Sequence, residues 1–426
     1  MSQTLPDSGA NNRLLFTPAS NVLAHAGRCV ILARALQEKG WDVAFAGEPC
    51  YLRHPPVAEP GEFGFWPLAD FARNSAMDHF RKAFSRPARA FLRGQVEDEV
   101  AILDAYNPAL VVCDFRLTMY ISARLRGIPV VSLLGGRWLL QYASGPVEPA
   151  RTHPSYGMVE RLLGAGLARR FAKPVQLRIL RWKMAPYHAL GREYGLELPR
   201  DIWDWFIGEH NLILDTETMG PTKPLPAHFT RVGPIIWNPD MTLPSWMDEI
   251  EPDRPLIYVT MGSTGDPALF RLLIKELGKL DCSAVFSTGG QIDLSPNELP
   301  ANVRMAPFLP GAEMMKRADL VVFHGGAGTA YQAIAAGTPG VIIATHLEQE
   351  FAGGVFEAYG GGKFYTMREV KARPARLVEA VNQVVQDPAP FRAGMEALRQ
   401  DYGQYDPIPM AVECIEDFVS QGNSAP

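Results

Sequence analysis

Short apolar runs alternate with longer amphipathic stretches along most of this chain. Arg13-Leu14-Leu15-Phe16-Thr17 reads as a strand. From Ala26 to Lys39 the apolar residues Cys29, Leu32, Ala33 and Leu36 recur at helical spacing, and Gly40 stands where a helix C-cap belongs. Trp41–Ala46 predicts the next strand. The runs Ala109–Cys113 and Pro129–Leu133 predict two more, with a helix between them. The same rhythm restarts at Leu256–Thr260 and continues through Ala284–Ser287, Leu320–Phe323 and Val341–Ala344. Strands alternating with helices imply βαβ units and parallel sheets. The expected fold class is therefore α/β, with two doubly wound Rossmann-like domains over 1–220 and 245–405. A proline-rich linker, 221–244, is expected between them. Ligands in such sheets bind beyond the carboxyl ends of the strands, so the functional site is expected in a cleft where the two domains face each other. Pro407–Gly422 reads as an amphipathic helix through Met410, Val412, Ile415, Phe418 and Val419. No internal repeat is visible.

Composition narrows the class. A chain of 426 residues with 47% hydrophobic residues can fill two cores. No apolar run is long enough to span a bilayer, and Met1–Asn12 lacks the apolar core of a secretory leader, so a cytoplasmic protein is expected. The five cysteines (Cys29, Cys50, Cys113, Cys282, Cys414) are scattered and odd in number, which favours reduced thiols over a disulfide framework. No His/Cys cluster has zinc spacing, and no metal is expected. Charge is uneven: 27 Lys+Arg against 22 Asp+Glu up to Val232, then 14 against 24, summing to the net −5. With that net charge and no basic stripe interleaved with aromatics, a nucleic-acid partner is not expected.

The strongest chemical signal is Val321-Val322-Phe323-His324-Gly325-Gly326-Ala327-Gly328-Thr329. An apolar strand enters a glycine-rich turn that opens a helix, and Gly337-Thr338-Pro339 closes that helix. Glycines admit an anion close to the backbone. The helix N-terminus presents amide N–H groups and partial positive charge to it. A histidine at the lip adds a further donor. The pattern suits a diphosphate. It does not complete Gly-x-Gly-x-x-Gly/Ala and lies deep in the second half, which disfavours a nicotinamide site.

Around this turn stand Phe308-Leu309-Pro310 upstream and Glu348-Gln349 downstream of Pro339. Together these pieces resemble the donor signature of the nucleotide-sugar glycosyltransferases of the GT-B fold, the natural-product family. The resemblance implies that Phe308 stacks on the pyrimidine base and is followed by Leu309. It implies that His324 contacts the diphosphate and that Gly326, Ala327, Gly328 and Thr329 form its backbone cradle. Glu348 and Gln349 match the pair that bonds the sugar hydroxyls, and Gly262-Ser263 matches a turn touching the phosphates. One position departs: where the family commonly has a ribose-binding Glu, this chain has Gln332. In the first domain, His25-Ala26-Gly27-Arg28 followed by Leu32–Leu36 and Gly40–Ala46 resembles the family's strand–His–helix–strand segment, with the histidine in the loop after the first strand. Asn107–Asp114 matches the strand ending in its catalytic aspartate. The terminal helix, 406–426, is implied to cross back onto the first domain.

What the resemblance implies makes chemical sense. A neutral histidine, His25, can take the proton of an acceptor hydroxyl as it attacks, while a carboxylate, Asp114, fixes its tautomer. The growing charge of the leaving diphosphate falls on the helix N-terminus and His324. The expected reaction is inverting, metal-independent transfer from a UDP- or dTDP-sugar to a hydroxyl of a small hydrophobic or lipid acceptor, with no cofactor. The plainer readings are a surface His25, a helix-capping Asp114 or His324, and a core Phe308. A GT-B sugar-nucleotide epimerase or hydrolase and a non-catalytic nucleotide-sugar binder are the alternatives. The aromatics of 56–93 and 136–200 (Phe63, Phe65, Trp66, Phe71, Phe80, Phe84, Trp138, Tyr142, Tyr156) suggest a flat or apolar acceptor. Arg161–Lys183 holds seven Lys/Arg and no acid among its leucines, and Arg81–Arg93 five more bases. A pair of solvated helices is the plain expectation there, and peripheral membrane contact the sharper one.

Overall fold

The computed structural model describes residues 11–53, 57–69, 86–145, 148–262 and 265–422. Two compact units emerge: one from 1–148, 169–237 and 405–426, the other from 149–168 and 238–404.

The first unit is built on seven parallel strands: β1 (Arg13–Pro18), β2 (Asp42–Gly47), β3 (Gly64–Pro67), β4 (Leu110–Asp114), β5 (Val130–Leu134), β6 (His210–Ile213) and β7 (Phe229–Arg231). Their order is β3-β2-β1-β4-β5-β6-β7. Alternate residues of one strand serve opposite cores. Leu15, Val111 and Cys113 join one cluster, while Leu14, Phe16, Leu110 and Val112 join the other. A parallel sheet buried on both faces needs such continuous apolar strands. The Leu23–Glu38 helix covers one face through Ala26, Cys29, Val30 and Ala33. The Pro407–Gly422 helix packs beside it through Ala411, Val412 and Ile415, and Trp41 Nε1 donates to Glu416 at 3.3 Å. The terminal helix therefore belongs to the first unit, as the resemblance implied.

The second unit carries six parallel strands: β8 (Leu256–Thr260), β9 (Ser283–Ser287), β10 (Val303–Ala306), β11 (Leu320–Phe323), β12 (Gly340–Ala344) and β13 (Gly362–Thr366), ordered β10-β9-β8-β11-β12-β13. Both units are thus doubly wound α/β folds, as the rhythm of apolar runs predicts.

Three features depart from the sequence reading. Strands β3, β6, β7, β10 and β13 carry no strong apolar run, since they lie at or near sheet edges and are short. Strand β7 falls inside 221–244, the expected linker. Residues 149–168, expected within the first domain, cluster with the second unit. Their anchors are polar and non-local. Glu350 accepts from the amides of Arg151 (2.9 Å) and Thr152 (2.7 Å), Arg151 pairs with Glu369, and Arg368 pairs with Glu160 at 2.7 Å. Burial pushes the Glu350 carboxyl up despite these bonds.

Candidate active site

In the first sheet the strand order reverses between β1 and β4, and ligands of doubly wound sheets bind at such a switch. Pro18, the last residue of β1, lies opposite Asp114, the last of β4, and the Ala19 amide donates to the Asp114 carbonyl at 2.8 Å. The helix after β1 starts at Leu23, so His25 sits in its first turn rather than in the preceding loop. Its Nδ1 is 2.7 Å from Asp114 Oδ1. Asp114 is fully buried, whereas His25 keeps part of its ring accessible.

A third group completes the cluster. Arg28, one turn along the same helix, donates from Nε to Asp114 Oδ2 (2.5 Å) and from NH2 to Oδ1 (2.6 Å). The same NH2 lies 2.8 Å from His25 Nδ1. Burial alone would push the Asp114 carboxyl up. The Arg28 guanidinium and His25 override it and hold the carboxyl well below the ordinary carboxylate range. Cys29 is pushed the other way by burial and Asp114, and its thiol reaches Asp114 Oδ2 at 3.7 Å. Asp114 can accept an Nδ1 proton from His25, while the Arg28 NH2, which has only protons to give, competes for the same ring nitrogen.

Aromatic rings flank this cluster. Phe115, directly after Asp114, has φ 65°, a left-handed backbone costing a non-glycine residue about 1–2 kcal/mol. Its ring lies 5.7 Å from His25, stacks on Phe206 at 4.6 Å and meets Trp138 edge-on at 5.4 Å; Trp138 in turn touches Trp203. The turn that holds Phe115 is anchored below by buried Glu99, which accepts from Arg116 (2.6 Å), Thr118 (2.6 Å) and Ser122 (2.5 Å). Strained backbone of this kind persists where its surroundings over-determine it. The sequence reading found His25, Asp114 and Trp138. It missed Arg28, whose signal was the three-residue spacing from His25, and Phe115, Trp203 and Phe206, which no local pattern marks.

In the second sheet the order reverses between β8 and β11. Gly262 follows β8, and His324 follows β11. Gly262 has φ 63°, and a methyl built on it would lie 2.8 Å from the His324 ring; one built on Gly326 would lie 2.5 Å from Nε2. The imidazole is therefore seated between two glycine backbones. Ser263 lies outside the described residues. The Ala327–Ala336 helix follows, and its first ladder bond runs from the Ala330 amide to the Gly326 carbonyl. The amides of Ala327, Gly328 and Thr329 precede that ladder, so an anion beside Gly326 meets three N–H groups and the helix's positive end. Gly325, at φ 91°, packs against the Gln349 backbone and so brings this turn to the head of the Leu347–Ala358 helix.

The remaining expected residues fall around this turn unevenly. Phe308 is exposed and Leu309 buried, so the Phe308 ring is not core. Gly311, at the end of the Phe308 segment, abuts Gln332, and Gln332 Nε2 donates to Asn238 Oδ1 at 2.8 Å. Gln349 is buried, and its Oε1 accepts from the Thr345 amide (2.7 Å) and hydroxyl (2.9 Å). Glu348 lies in the helix's first turn, partly exposed. Among the described residues no group of three or more His, Cys, Asp or Glu is arranged to hold a metal ion. Phe71, Phe80 and Phe84 lie outside the described residues.

Comparison with known proteins places this arrangement. Residues 271–418 match the family model of the erythromycin biosynthesis protein CIII-like C-terminal domain. Over 394 residues the chain is 30% identical to a PGL/p-HBAD biosynthesis rhamnosyltransferase of Mycobacterium bovis (strain BCG / Pasteur 1173P2), covering 90% of this chain and 84% of that protein. Two solved structures share its fold. CalG4, the calicheamicin glycosyltransferase, is 20% identical with TM-score 0.64 over 98% of this chain and 100% of that one. The spinosyn rhamnosyltransferase SpnG complexed with thymidine diphosphate is 17% identical with TM-score 0.65 over 95% and 100%. With its two doubly wound parallel sheets and this relationship across nearly its whole length, the chain belongs to the GT-B natural-product glycosyltransferases and is a glycosyltransferase.

Proposed function

We propose that this enzyme transfers a sugar from a pyrimidine nucleoside diphosphate sugar, UDP- or dTDP-linked, to a hydroxyl of a small hydrophobic or lipid acceptor, with inversion and without a metal. The observation that carries the reading is the His25–Asp114 pair at the switch of the first sheet. His25 Nε2 takes the acceptor proton as the acceptor oxygen bonds to the anomeric carbon. The bond from that carbon to the diphosphate breaks, and its electron pair leaves with the diphosphate. Asp114 steadies the imidazolium, and the rings of Phe115 and Trp138 suit an apolar acceptor.

On the donor side, the amides of Ala327, Gly328 and Thr329 and the His324 ring receive the diphosphate charge. Phe308 offers an exposed ring to the base, Gln332 its amide to the ribose, and Glu348 and Gln349 their polar groups to the sugar. The thymidine diphosphate complex of SpnG supports a thymidine donor in particular.

The test is turnover with dTDP- and UDP-sugars and a hydrophobic alcohol, with the anomeric configuration of the product read by NMR. His25→Ala should lower turnover by about a hundredfold to ten-thousandfold. Near-normal turnover in that variant, or a product of retained configuration, overturns the mechanism. Loss of donor without any acceptor present would hand the site to epimerase or hydrolase chemistry. Activity abolished by a chelator and restored by a divalent cation would overturn the metal-independent reading.

A further inference from the structure

Among the described residues nine large hydrophobic side chains are exposed, and five of them (Met158, Leu162, Leu163, Leu167 and Phe171) fall within fourteen consecutive positions. They sit on two successive helices, Pro154–Leu163 and the start of Ala165–Glu193, joined at Gly164. The patterning is inverted relative to a helix that packs on a core. From 161 to 172 only Ala168 and Ala172 are buried, each at 0% exposure, while Leu162 is 74% exposed and Leu163, Leu167 and Phe171 nearly half. Ala168 and Ala172 face the protein and the large apolar residues face away. Leu167 and Phe171 stand one turn apart on one helix face, as do Met158 and Leu162. A soluble surface scatters such residues singly; a contiguous group marks an interface.

Charge says which interface. Arg161, Arg169, Arg170 and Lys173 are interleaved with these residues, and none pairs with a described carboxylate. The one acid in the segment, Glu160, is engaged by Arg368. The surface is narrower than the sequence suggested, since Lys183 is buried and Arg181 is held by Asp201 at 2.7 Å. Exposed leucine and phenylalanine fringed by uncompensated arginine and lysine match the acyl and phosphate layers of an anionic bilayer.

We propose that residues 158–173 dock this enzyme on anionic lipid membranes, the apolar side chains entering the headgroup boundary and the bases contacting lipid phosphates. The inference does not depend on the donor, the base or the acceptor assigned above.

The experiment is co-sedimentation of the whole protein with vesicles of phosphatidylcholine alone and of phosphatidylcholine mixed with phosphatidylglycerol. Binding to the mixed vesicles is expected, weakened about tenfold or more by high salt and by the Leu163→Glu/Leu167→Glu variant. These positions are exposed, so an unchanged melting temperature shows that the variant is folded. No binding to the mixed vesicles, equal binding to both vesicle types, or binding unchanged in the variant each overturns the proposal. So does a concentration-dependent dimer that the variant abolishes without vesicle binding, which would assign the face to a second copy of this chain.

Discussion

Removing Arg28 tests how the first site is held together. Arg28→Met keeps the length and apolar stem of the side chain but deletes two donors, 2.5 and 2.6 Å from a fully buried carboxylate. Breaking a buried pair by deleting one partner costs about 3–5 kcal/mol. Here the guanidinium keeps some solvent and His25 remains beside Asp114, so about 3 kcal/mol at neutral pH is expected. For a unit of this size that is roughly 6–12 °C in melting temperature. The pH dependence identifies the cause. In the native protein the Asp114 carboxyl titrates lower than in the unfolded chain. Its stabilisation is therefore complete above about pH 4 and is lost as pH falls further. In Arg28→Met burial acts against a weaker counter-charge, the carboxyl moves up, and that contribution is missing at neutral pH. The gap between the two proteins should be widest near pH 7. Below about pH 4 it should shrink by about 1.4 kcal/mol per unit. Thermal melts across pH 3–7 measure it. A gap that stays constant on acidification would show that the variant suffers from packing, not from the ion pair. A gap below one degree would refute the pairing itself.

Other substitutions probe separate links. Gly27→Ala would gain helix propensity, but its methyl falls 2.6 Å from the Trp237 ring, so a net loss of about 1–3 kcal/mol is expected in thermal melts; a stabilised variant contradicts the close approach. Lys183 is pushed down to about 8 by burial. A lysine lowered on folding gives stability that is complete above its unfolded value near 10.4 and lost as pH falls through 8, so the native protein should gain stability between pH 8 and 10. Lys183→Met should flatten that rise and be the more stable protein at pH 7; an unaltered slope would show that Lys183 stays charged. Gly326→Ala places a methyl 2.5 Å from His324 Nε2. It should weaken the thermal shift produced by thymidine or uridine diphosphate about tenfold in affinity and, because the ring must move, lower the ligand-free melting temperature as well; undiminished nucleotide binding would remove His324 and Gly326 from the cradle.

What could be read in the chain follows from how local each signal is. The His324–Thr329 turn announces itself because strand, glycine turn and helix are contiguous, and the structure keeps them in that order. His25 and Asp114 are 89 positions apart and became a pair on paper only through resemblance to a family. Arg28 escaped notice because its partner is remote, although it lies one helical turn from His25. The inner strands β1, β4, β8 and β11 are buried on both faces and therefore apolar throughout. β7, three residues at a sheet edge, needs no such run and was hidden among prolines. The transfer of 149–168 to the second unit rests on Glu350, Glu369 and Arg368, single charges with no periodicity, which leave no trace in a hydrophobic pattern. Gln349 shows a different limit. Its position was foreseen from the motif, but the engagement of its Oε1 by Thr345 depends on a turn geometry that the sequence does not display.

The two sheets use the same topological address for opposite ends. In each, the strand order reverses between two neighbouring strands, β1 beside β4 and β8 beside β11. In the first unit those ends carry an ion-paired cluster: Asp114 closes β4, and His25 and Arg28 come from the helix after β1. A third charged group is needed there because a lone buried carboxylate would not stay ionised. In the second unit the described residues after those ends include Gly262 and His324. Gly262 and Gly326 bring bare backbone against the His324 ring. The buried charge of Asp114 is thus met by an ion pair, and on the proposed reading the charge of a bound diphosphate would be met by bare backbone. Substitutions in the first unit should therefore show themselves as pH-dependent stability, while those at the second-unit turn should appear as lost nucleotide affinity.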